Sequence, residues 1–401
     1  MPLALWALAI GAFAIGTTEF VVTGVLPEVA DHFGVSLSAA GHMATVYAAG
    51  VFIGAPLMTA LGTRVERKRM LAALMVLFVI GNAVTAAAPA YGLLLTGRVV
   101  ASFAHGAFFG IGAVVAAGLV APHRRAGAIA AMFTGLTVAN VIGVPAGTLL
   151  GQHVGWRATF TAVALLGVLG LAGILALVPR GPRPEGASIR PELAALRNPQ
   201  VLLAMAMTVL GFGGLFVSIT YVAPMMTDVA GFPASGVTWL LVLFGLGMVA
   251  GNAVGGRLTD TAPVPTLYIA LSALSLSLLA FTWGAHSMVA SAVLLFLIGA
   301  SAFATVAPLQ MRVMDKAASA PTLASALNIG FFNLGNAIGA WLGGFAISLG
   351  WGLTSPNWVG ALLPAGALVL AVVAASLDRR GTATATSAPG TGTAPAPAVH
   401  G

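Results

Sequence analysis

The sequence predicts an all-α membrane protein whose twelve transmembrane helices form two six-helix bundles related as parallel repeats. Three observations predict it. The 401-residue chain is 59% hydrophobic and only 7% charged, and its mean hydropathy is +1.01, far outside the range of soluble domains. Apolar stretches of about 20 residues, the length that crosses a bilayer, recur along the chain. Local patterns in the second half repeat those of the first half.

The twelve apolar stretches are numbered here as spans 1 to 12. They are predicted at residues 3–26, 40–61, 70–88, 93–120, 127–150, 157–178, 200–224, 236–256, 265–284, 287–311, 322–349 and 357–377. Span 1 is too long for the core of a signal peptide, has no basic residue before it and has no convincing small-residue cleavage site. It is therefore expected to stay in the mature protein.

The organisation follows from the polar segments between and after the spans. A Pro-, Arg- and Gly-rich segment at 179–199 is predicted to be a cytoplasmic linker between a first bundle at 1–178 and a second bundle at 200–378. Residues 379–401 are mostly Ala, Thr, Pro and Gly and are predicted to be a disordered tail.

The basic residues lie in alternate loops. Fifteen of the seventeen follow even-numbered spans: Arg64, Arg67, Lys68, Arg69, Arg124, Arg125, Arg180, Arg183, Arg190, Arg197, Arg257, Arg312, Lys316, Arg379 and Arg380. This asymmetry predicts that both termini are cytoplasmic. The net charge of +7 is thus a matter of topology, and no nucleic-acid partner is expected.

The two halves match at an offset of 196 or 197 residues. The matching sets are Asn140, Gly143 and Gly147 with Asn336, Gly339 and Gly343; Thr23 and Pro27 with Thr220 and Pro224; and Gly54 and Thr63 with Gly251 and Asp260. Three matches at one offset favour a two-bundle transporter built from parallel repeats.

One acidic residue, Glu19, is predicted to lie inside a span. An ionised acid there costs at least about 2.5–3.5 kcal/mol, so Glu19 needs a partner, a proton or water. Its depth below the outer end of span 1 is about 12 Å, and that of Arg98 in span 4 is about 9 Å, so the two are level if these spans adjoin. His105 lies on the same helix face as Arg98, about 10 Å deeper.

Each of these residues also has a structural interpretation. Glu19 and Arg98 could pair with no role beyond fixing the packing of their helices. A histidine between two helices often has no role beyond a hydrogen bond from one helix to the other. Other candidates for a substrate cavity are Phe20, Thr23, Tyr47, Phe109, Asn140, Tyr221, Phe332, Asn333 and Asn336. For any single aromatic residue among these, ordinary packing is the favoured interpretation, and the asparagines are interhelical contacts first.

Several kinds of chemistry are excluded by missing motifs. The chain has no cysteine, and neither of its two lysines lies in a GKS or GKT phosphate loop. HExxH and GxSxG motifs are absent as well. The sequence therefore predicts no enzyme, metal site or cofactor, and it excludes direct ATP drive through such a phosphate loop.

Along residues 3–378 the sequence resembles the major facilitator superfamily, in its bacterial twelve-helix drug:proton antiporter group. It is similar to inner-membrane transporters of the sugar efflux permease and chloramphenicol exporter type. The stretches that carry the resemblance are GTTEF and LPEVA in span 1, GAPLMTALGTRVERKR after span 2, GRVVASFAHGAFFG in span 4, ANVIGVPAGTLLGQHVGWRATF across spans 5 and 6, PLQMRV after span 10 and ASALNIGFFNLGNAIGA in span 11.

The resemblance assigns roles to matching positions and implies a central cavity between spans 1, 4, 7 and 10. The family's arginine of span 4 matches Arg98; its gating-loop basic residues match Arg64, Arg67 and Lys68; and its antiporter motif of span 5 resembles Gly143, Pro145 and Gly147. The loop departs from the family pattern at two positions, because Thr63 replaces the usual acid and Glu66 the usual glycine, while Asp260 keeps the acid in the second copy. A charge-locked gate in the first half then depends on Glu66.

The sequence thus predicts a proton-coupled exporter of a small organic solute or drug, acting as a monomer by alternating access. The resemblance alone implies that the solute is chloramphenicol-like or sugar-like. Glu19 would carry the proton, Arg98 would modulate it, and His105 would relay it or contact the ligand. One alternative is an uncoupled facilitator or importer of sugars or nucleosides. A second is a membrane receptor that has lost transport.

Overall fold

The computed structural model describes residues 2–35, 37–181, 197–318 and 321–386. Within these residues all regular secondary structure is helical. Most of the predicted linker and the last fifteen residues of the predicted tail lie outside the described ranges.

All twelve spans are present as helices. Span 1 is Leu3–Phe20 followed by Val22–Phe33; span 2, His42–Leu61; span 3, Arg67–Ala87; span 4, Tyr91–Gly118; span 5, Arg125–Val138, Ala139–Gly143 and Val144–Val154; span 6, Trp156–Leu177; span 7, Pro199–Ile219, Val222–Pro224 and Met225–Val229; span 8, Ala234–Thr261; span 9, Pro263–Gly284; span 10, Met288–Ala304 and Val306–Lys316; span 11, Pro321–Ser348; and span 12, Ser355–Thr386.

Eleven of these spans are long and apolar enough to cross a membrane among the described residues. The exception is span 11, into which three asparagines bring strongly polar amides. Large apolar side chains on the outside of the bundle are exposed, among them Val289 at 76% and Trp239 at 74%. On a soluble protein such a surface would be an interaction site, whereas on this one it is the face that meets lipid.

Two predicted ends need correction. Span 1 continues to Phe33, beyond the predicted residue 26, because the helix persists after the apolar window has ended. Span 12 continues to Thr386, so the first residues of the predicted disordered tail are helical.

The internal repeat is confirmed by packing. In the first half, a Cβ added to Gly143 would lie 2.3 Å from the Thr17 hydroxyl oxygen. In the second half, a Cβ added to Gly339 would lie 2.3 Å from the Gly213 carbonyl oxygen. Both members of the second pair follow those of the first pair by 196 positions, so spans 5 and 11 pack on spans 1 and 7 in the same register. Each contact is too close for any side chain larger than hydrogen.

Span 5 changes its winding just before Pro145. A π-helical turn covers Ala139–Gly143 and ends one residue before the helix that contains Pro145. Proline has no N–H to donate to the preceding turn, and π-helical turns are one of the usual places where a helix changes direction. Gly143 and Pro145 of span 5 therefore lie at or next to a local irregularity of the helix.

Candidate functional site

The guanidinium of Arg98 is the centre of a buried polar cluster in the first half. Its Nη1 donates to the carbonyl oxygen of Thr18 at 3.0 Å and to the hydroxyl of the same residue at 2.9 Å. Its Nε donates to the carbonyl of Met43 at 3.5 Å. The guanidinium also lies 4.3 Å from the ring centre of Tyr47 and 5.6 Å from that of Phe160. Spans 1, 2, 4 and 6 thus meet around one cation, which aromatic faces stabilise.

The Thr18 hydroxyl links this cation to span 3. It donates to the side-chain oxygen of Asn82 at 2.6 Å, so its lone pairs remain free to accept from Arg98. Asn82 in turn donates to the carbonyl of Phe78 at 2.9 Å. The Nη2 of Arg98 is buried and has no hydrogen-bond partner in the described part of the chain. The cation is thus held by neutral oxygens, and its charge remains available to a nearby anion.

Glu19 lies beside this cluster, one residue after Thr18. Its Oε2 is 4.0 Å from Nδ1 of His105, and the two side chains are 15% and 5% exposed. The Tyr47 hydroxyl lies 3.3 Å from the same nitrogen. One face of the Tyr47 ring is therefore against the Arg98 cation, while its hydroxyl meets the imidazole.

The predicted proximity of spans 1 and 4 is confirmed. The guanidinium of Arg98 bonds to Thr18, and the Glu19 carboxylate lies 4.0 Å from His105, so Glu19 and Arg98 interact through their charges. Sequence reasoning compared depths along the two helices and could not foresee that a backbone carbonyl takes the guanidinium. Asn82 was missed as well, although a lone asparagine in the apolar run of span 3 was a usable signal.

This arrangement brings a carboxyl group, an imidazole and a phenol together. A neutral imidazole has one acceptor nitrogen, which can receive a hydrogen bond from the Tyr47 hydroxyl or from a protonated Glu19. Protonation of the carboxylate removes its charge beside Arg98, and such charges interact strongly where water is scarce. Of the Glu19 and His105 side chains, that of Glu19 is the more exposed.

The predicted aromatic cavity residues make packing contacts. Phe109 stacks on Phe133 with ring centres 5.0 Å apart, and Phe332 meets Phe212 edge to face, also at 5.0 Å. The Tyr221 hydroxyl donates to a backbone carbonyl of span 11 at 2.8 Å. Phe20 follows Glu19 and is half-buried. Among the predicted aromatic cavity residues, ordinary packing is the fitting interpretation for all except Tyr47.

Two of the predicted polar cavity residues also make local contacts. The amide of Asn140 donates to Leu136 one turn earlier, and that of Asn333 donates to Ile329. The side-chain oxygen of Asn336 is buried and has no partner among the described residues. The side chain of Thr23 lies outside the described part of the structure. The contacts of Asn140 and Asn333 lie within single helices, and the buried oxygen of Asn336 is an unused acceptor among the described residues.

The first and second halves meet at the end of the bundle where the basic loops lie, called here the basic end. Asp260 at the end of span 8 accepts the backbone N–H of Ala126 at 2.7 Å and of Gly127 at 2.9 Å. These are free N–H groups in the first turn of span 5, where a carboxylate also meets the positive end of the helix dipole. The acid of the second loop copy thus caps a helix of the opposite half.

The first loop copy makes no equivalent contact through Glu66. This carboxylate accepts the N–H of Gly181 at 3.1 Å and lies 3.4 Å from Arg69 in its own loop. Among the described contacts, Glu66 therefore does not take the inter-half role that Asp260 has in the second copy. At the corresponding place the hydroxyl of Thr63 donates to Ala60, in the preceding turn.

The basic residues of that loop have different surroundings. Arg67 donates to the Thr322 hydroxyl in the second half at 3.4 Å. Lys68 donates to the carbonyl of Leu175 in span 6 at 2.8 Å, and Arg64 is exposed. Only Arg67 of these three is shown in contact with the opposite half.

The chain belongs to the Major Facilitator Superfamily, whose family model matches residues 8–328. It is a multi-pass membrane transporter and not an enzyme. It is 45% identical over 371 residues to the inner membrane transport protein YdhP of Escherichia coli strain K12, covering 92% of this chain and 95% of that protein. It is 38% identical over 375 residues to a chloramphenicol resistance protein of Streptomyces lividans, covering 92% and 96%.

The fold is shared with solved structures of the same superfamily. The human organic anion transporter MFSD10 superimposes with a TM-score of 0.75 and 17% identity, over 92% of this chain and 99% of that one. The predicted all-α fold with two six-helix bundles is confirmed.

Proposed function

We propose that this protein exports a small organic solute in exchange for protons, by alternating access. The observation that carries the proposal is the position of Glu19, a partly exposed carboxylate inside span 1, 4.0 Å from His105 and next to the residue that binds Arg98. Intramembrane acids are costly and usually functional.

Glu19 is the proton carrier in this proposal, Arg98 its modulator and His105 a relay. With an ionised Glu19 and a neutral His105, the charges of Glu19 and Arg98 cancel. When a proton binds the carboxylate, the cation is left without a counter-ion. That change in charge alters the relative energies of the two arrangements of the halves, which is what coupling requires.

The inter-half contacts support a state that is closed at the basic end. Asp260 caps span 5 there, and an added Cβ on Gly256 would lie 2.3 Å from Cβ of Ala130. The positive-inside asymmetry of the loops makes this end cytoplasmic, with both termini on the same side of a bacterial inner membrane. The state is then one in which solute has left the cytoplasmic side.

The proposed substrate is a neutral or weakly cationic amphipathic molecule. Glu19 is the single acid predicted inside a span, so the site has no second carboxylate to balance further positive charge. The similarity to a chloramphenicol resistance protein supports an antibiotic of that kind, and sugar-like solutes fit the same chemistry.

The test uses everted membrane vesicles with an imposed pH gradient and a panel of antibiotics, sugars and nucleosides. We compare the natural protein with Glu19→Gln, with Tyr47→Phe and with Asp31→Asn, a matched control that removes an exposed carboxylate from the end of span 1. We expect a solute to dissipate the gradient in the natural protein and the control, but not in Glu19→Gln. Tyr47→Phe keeps the ring beside Arg98 and loses the hydroxyl, so its proton flux should fall only in part.

The contrary result is equally clear. Solute flux that is the same in natural protein and Glu19→Gln, with no proton movement, would overturn the antiport proposal and leave an uncoupled facilitator. If no solute changes the pH gradient or is transported in any variant, the result would favour a membrane receptor.

A further inference from the structure

Four buried polar side chains of the second half form one continuous hydrogen-bonded chain, called here the polar chain. The Thr208 hydroxyl in span 7 donates to the side-chain oxygen of Asn328 in span 11 at 2.7 Å. The Asn328 amide donates to the side-chain oxygen of Gln310 in span 10 at 2.7 Å. The Gln310 amide then donates to both the hydroxyl and the carbonyl oxygen of Ser325 in span 11. All four residues are fully buried.

The polar chain ends on the opposite half. The Ser325 hydroxyl donates to the carbonyl oxygen of Gly110 in span 4 at 2.8 Å. The backbones are in close contact at this point, because a Cβ on Gly110 would lie 2.3 Å from Cα of Ala326. Gly110 follows His105 by five residues, about 7.5 Å along the same helix. The helix that carries Arg98 and His105 is therefore bonded directly to the second half.

The polar chain has no copy in the first half. The residues 196 positions earlier are Ala12, Val114, Ile129 and Met132, none of which has a polar side chain. The repeat therefore explains why spans 7, 10 and 11 pack together, but it does not explain why they carry these groups. Buried amides and hydroxyls are costly unless each is paired, and in the polar chain they are paired in series.

We propose that Asn328 and Gln310 are positioning residues that hold the Ser325 hydroxyl on Gly110, and that this bond favours the state closed at the basic end. Opening that end separates span 11 from span 4, so the Ser325 bond must break. The paired amides fix the rotamer of Ser325 and reduce the entropy lost when the bond forms again. The inference rests on the alternating access of the proposed function, but not on proton coupling.

The test measures the distance between the halves directly. The chain has no cysteine, so spin labels can be placed at Ala121→Cys and Ala318→Cys, two exposed positions on opposite halves at the basic end. Double electron–electron resonance in lipid nanodiscs then gives the ratio of open to closed molecules. Ser325→Ala removes the bond to Gly110, and Ser218→Ala is the matched control, since this buried serine bonds to Asn357 within its own half.

We expect Ser325→Ala to raise the open-to-closed ratio about threefold, the change that corresponds to ~0.6 kcal/mol for one interhelical hydrogen bond in a membrane. Gln310→Met should raise it at least as much. Thr208→Val, which removes the first bond of the polar chain, should cause a smaller rise of the same sign. Ser218→Ala should match the parent.

Ratios for Ser325→Ala and Thr208→Val that equal the ratio for Ser218→Ala would overturn the proposal. Should Gln310→Met fail to fold, these two milder variants decide alone. Vesicle transport by the same variants separates the two proposals: an altered distance ratio in a protein that moves solute without protons would leave this inference standing and refute antiport.

Discussion

Asp260→Asn is the most informative change at the basic end. The carboxylate accepts two backbone N–H groups, of Ala126 and Gly127, at the start of span 5. Asparagine has one acceptor oxygen and no charge, so it loses one charge-assisted hydrogen bond and the interaction with the helix dipole. These contribute about 1.5–3 and 0.3–1 kcal/mol. Because the carboxylate is only part-buried, the low end applies, and we expect a loss of ~2 kcal/mol.

A loss of ~2 kcal/mol corresponds to roughly a 30-fold rise in the ratio of open to closed molecules, at 1.36 kcal/mol per factor of ten. Distance measurement with labels at Ala121→Cys and Ala318→Cys gives this ratio. The matched control is Asp228→Asn, since Asp228 lies outside the basic end, at the end of span 7, and within the described residues accepts from the neighbouring Thr227 hydroxyl.

The reasoning is refuted if Asp260→Asn and Asp228→Asn give the same distance distribution while both elute as single folded species. That result would mean that other contacts keep the basic end closed and that the carboxylate is only a helix cap.

Two further predictions concern the repeat and the packing. Thr63→Asp restores an acid 197 positions before Asp260, in the loop whose Arg67 contacts Thr322 of span 11. We expect a larger closed fraction and slower initial transport, and unchanged values of both would contradict this prediction. A Cβ on Gly251 would lie 1.8 Å from a backbone oxygen of span 10. Gly251→Ala should therefore lower the apparent melting temperature by the equivalent of about 1–3 kcal/mol. The control is Gly92→Ala, which should leave the melting temperature unchanged because the space around Gly92 is open. Equal melting temperatures would contradict this.

The candidate site could be predicted only in part. Glu19 and Arg98 are identifiable because a charged residue in an apolar span is rare and costly, and their depths follow from the helical rise. That the guanidinium binds Thr18, and that Tyr47 lies between Arg98 and His105, depends on how spans 1, 2 and 4 are rotated about their axes. The spacing of residues along one helix predicts which side chains share a face of that helix. It does not predict which residues of other helices pack against that face.

The sequence by itself determined the class of fold. Spans, loop charges and the repeat are visible in it because a bilayer imposes apolar composition on every segment that crosses it, and local composition can be read residue by residue. Only the tertiary structure decided the partners of the polar groups. Asp260 and Ser325 both bond to backbone atoms of the opposite half, and every residue has the same N–H and C=O groups apart from proline. Which of them is close enough to bond is therefore decided by the packing of the two halves.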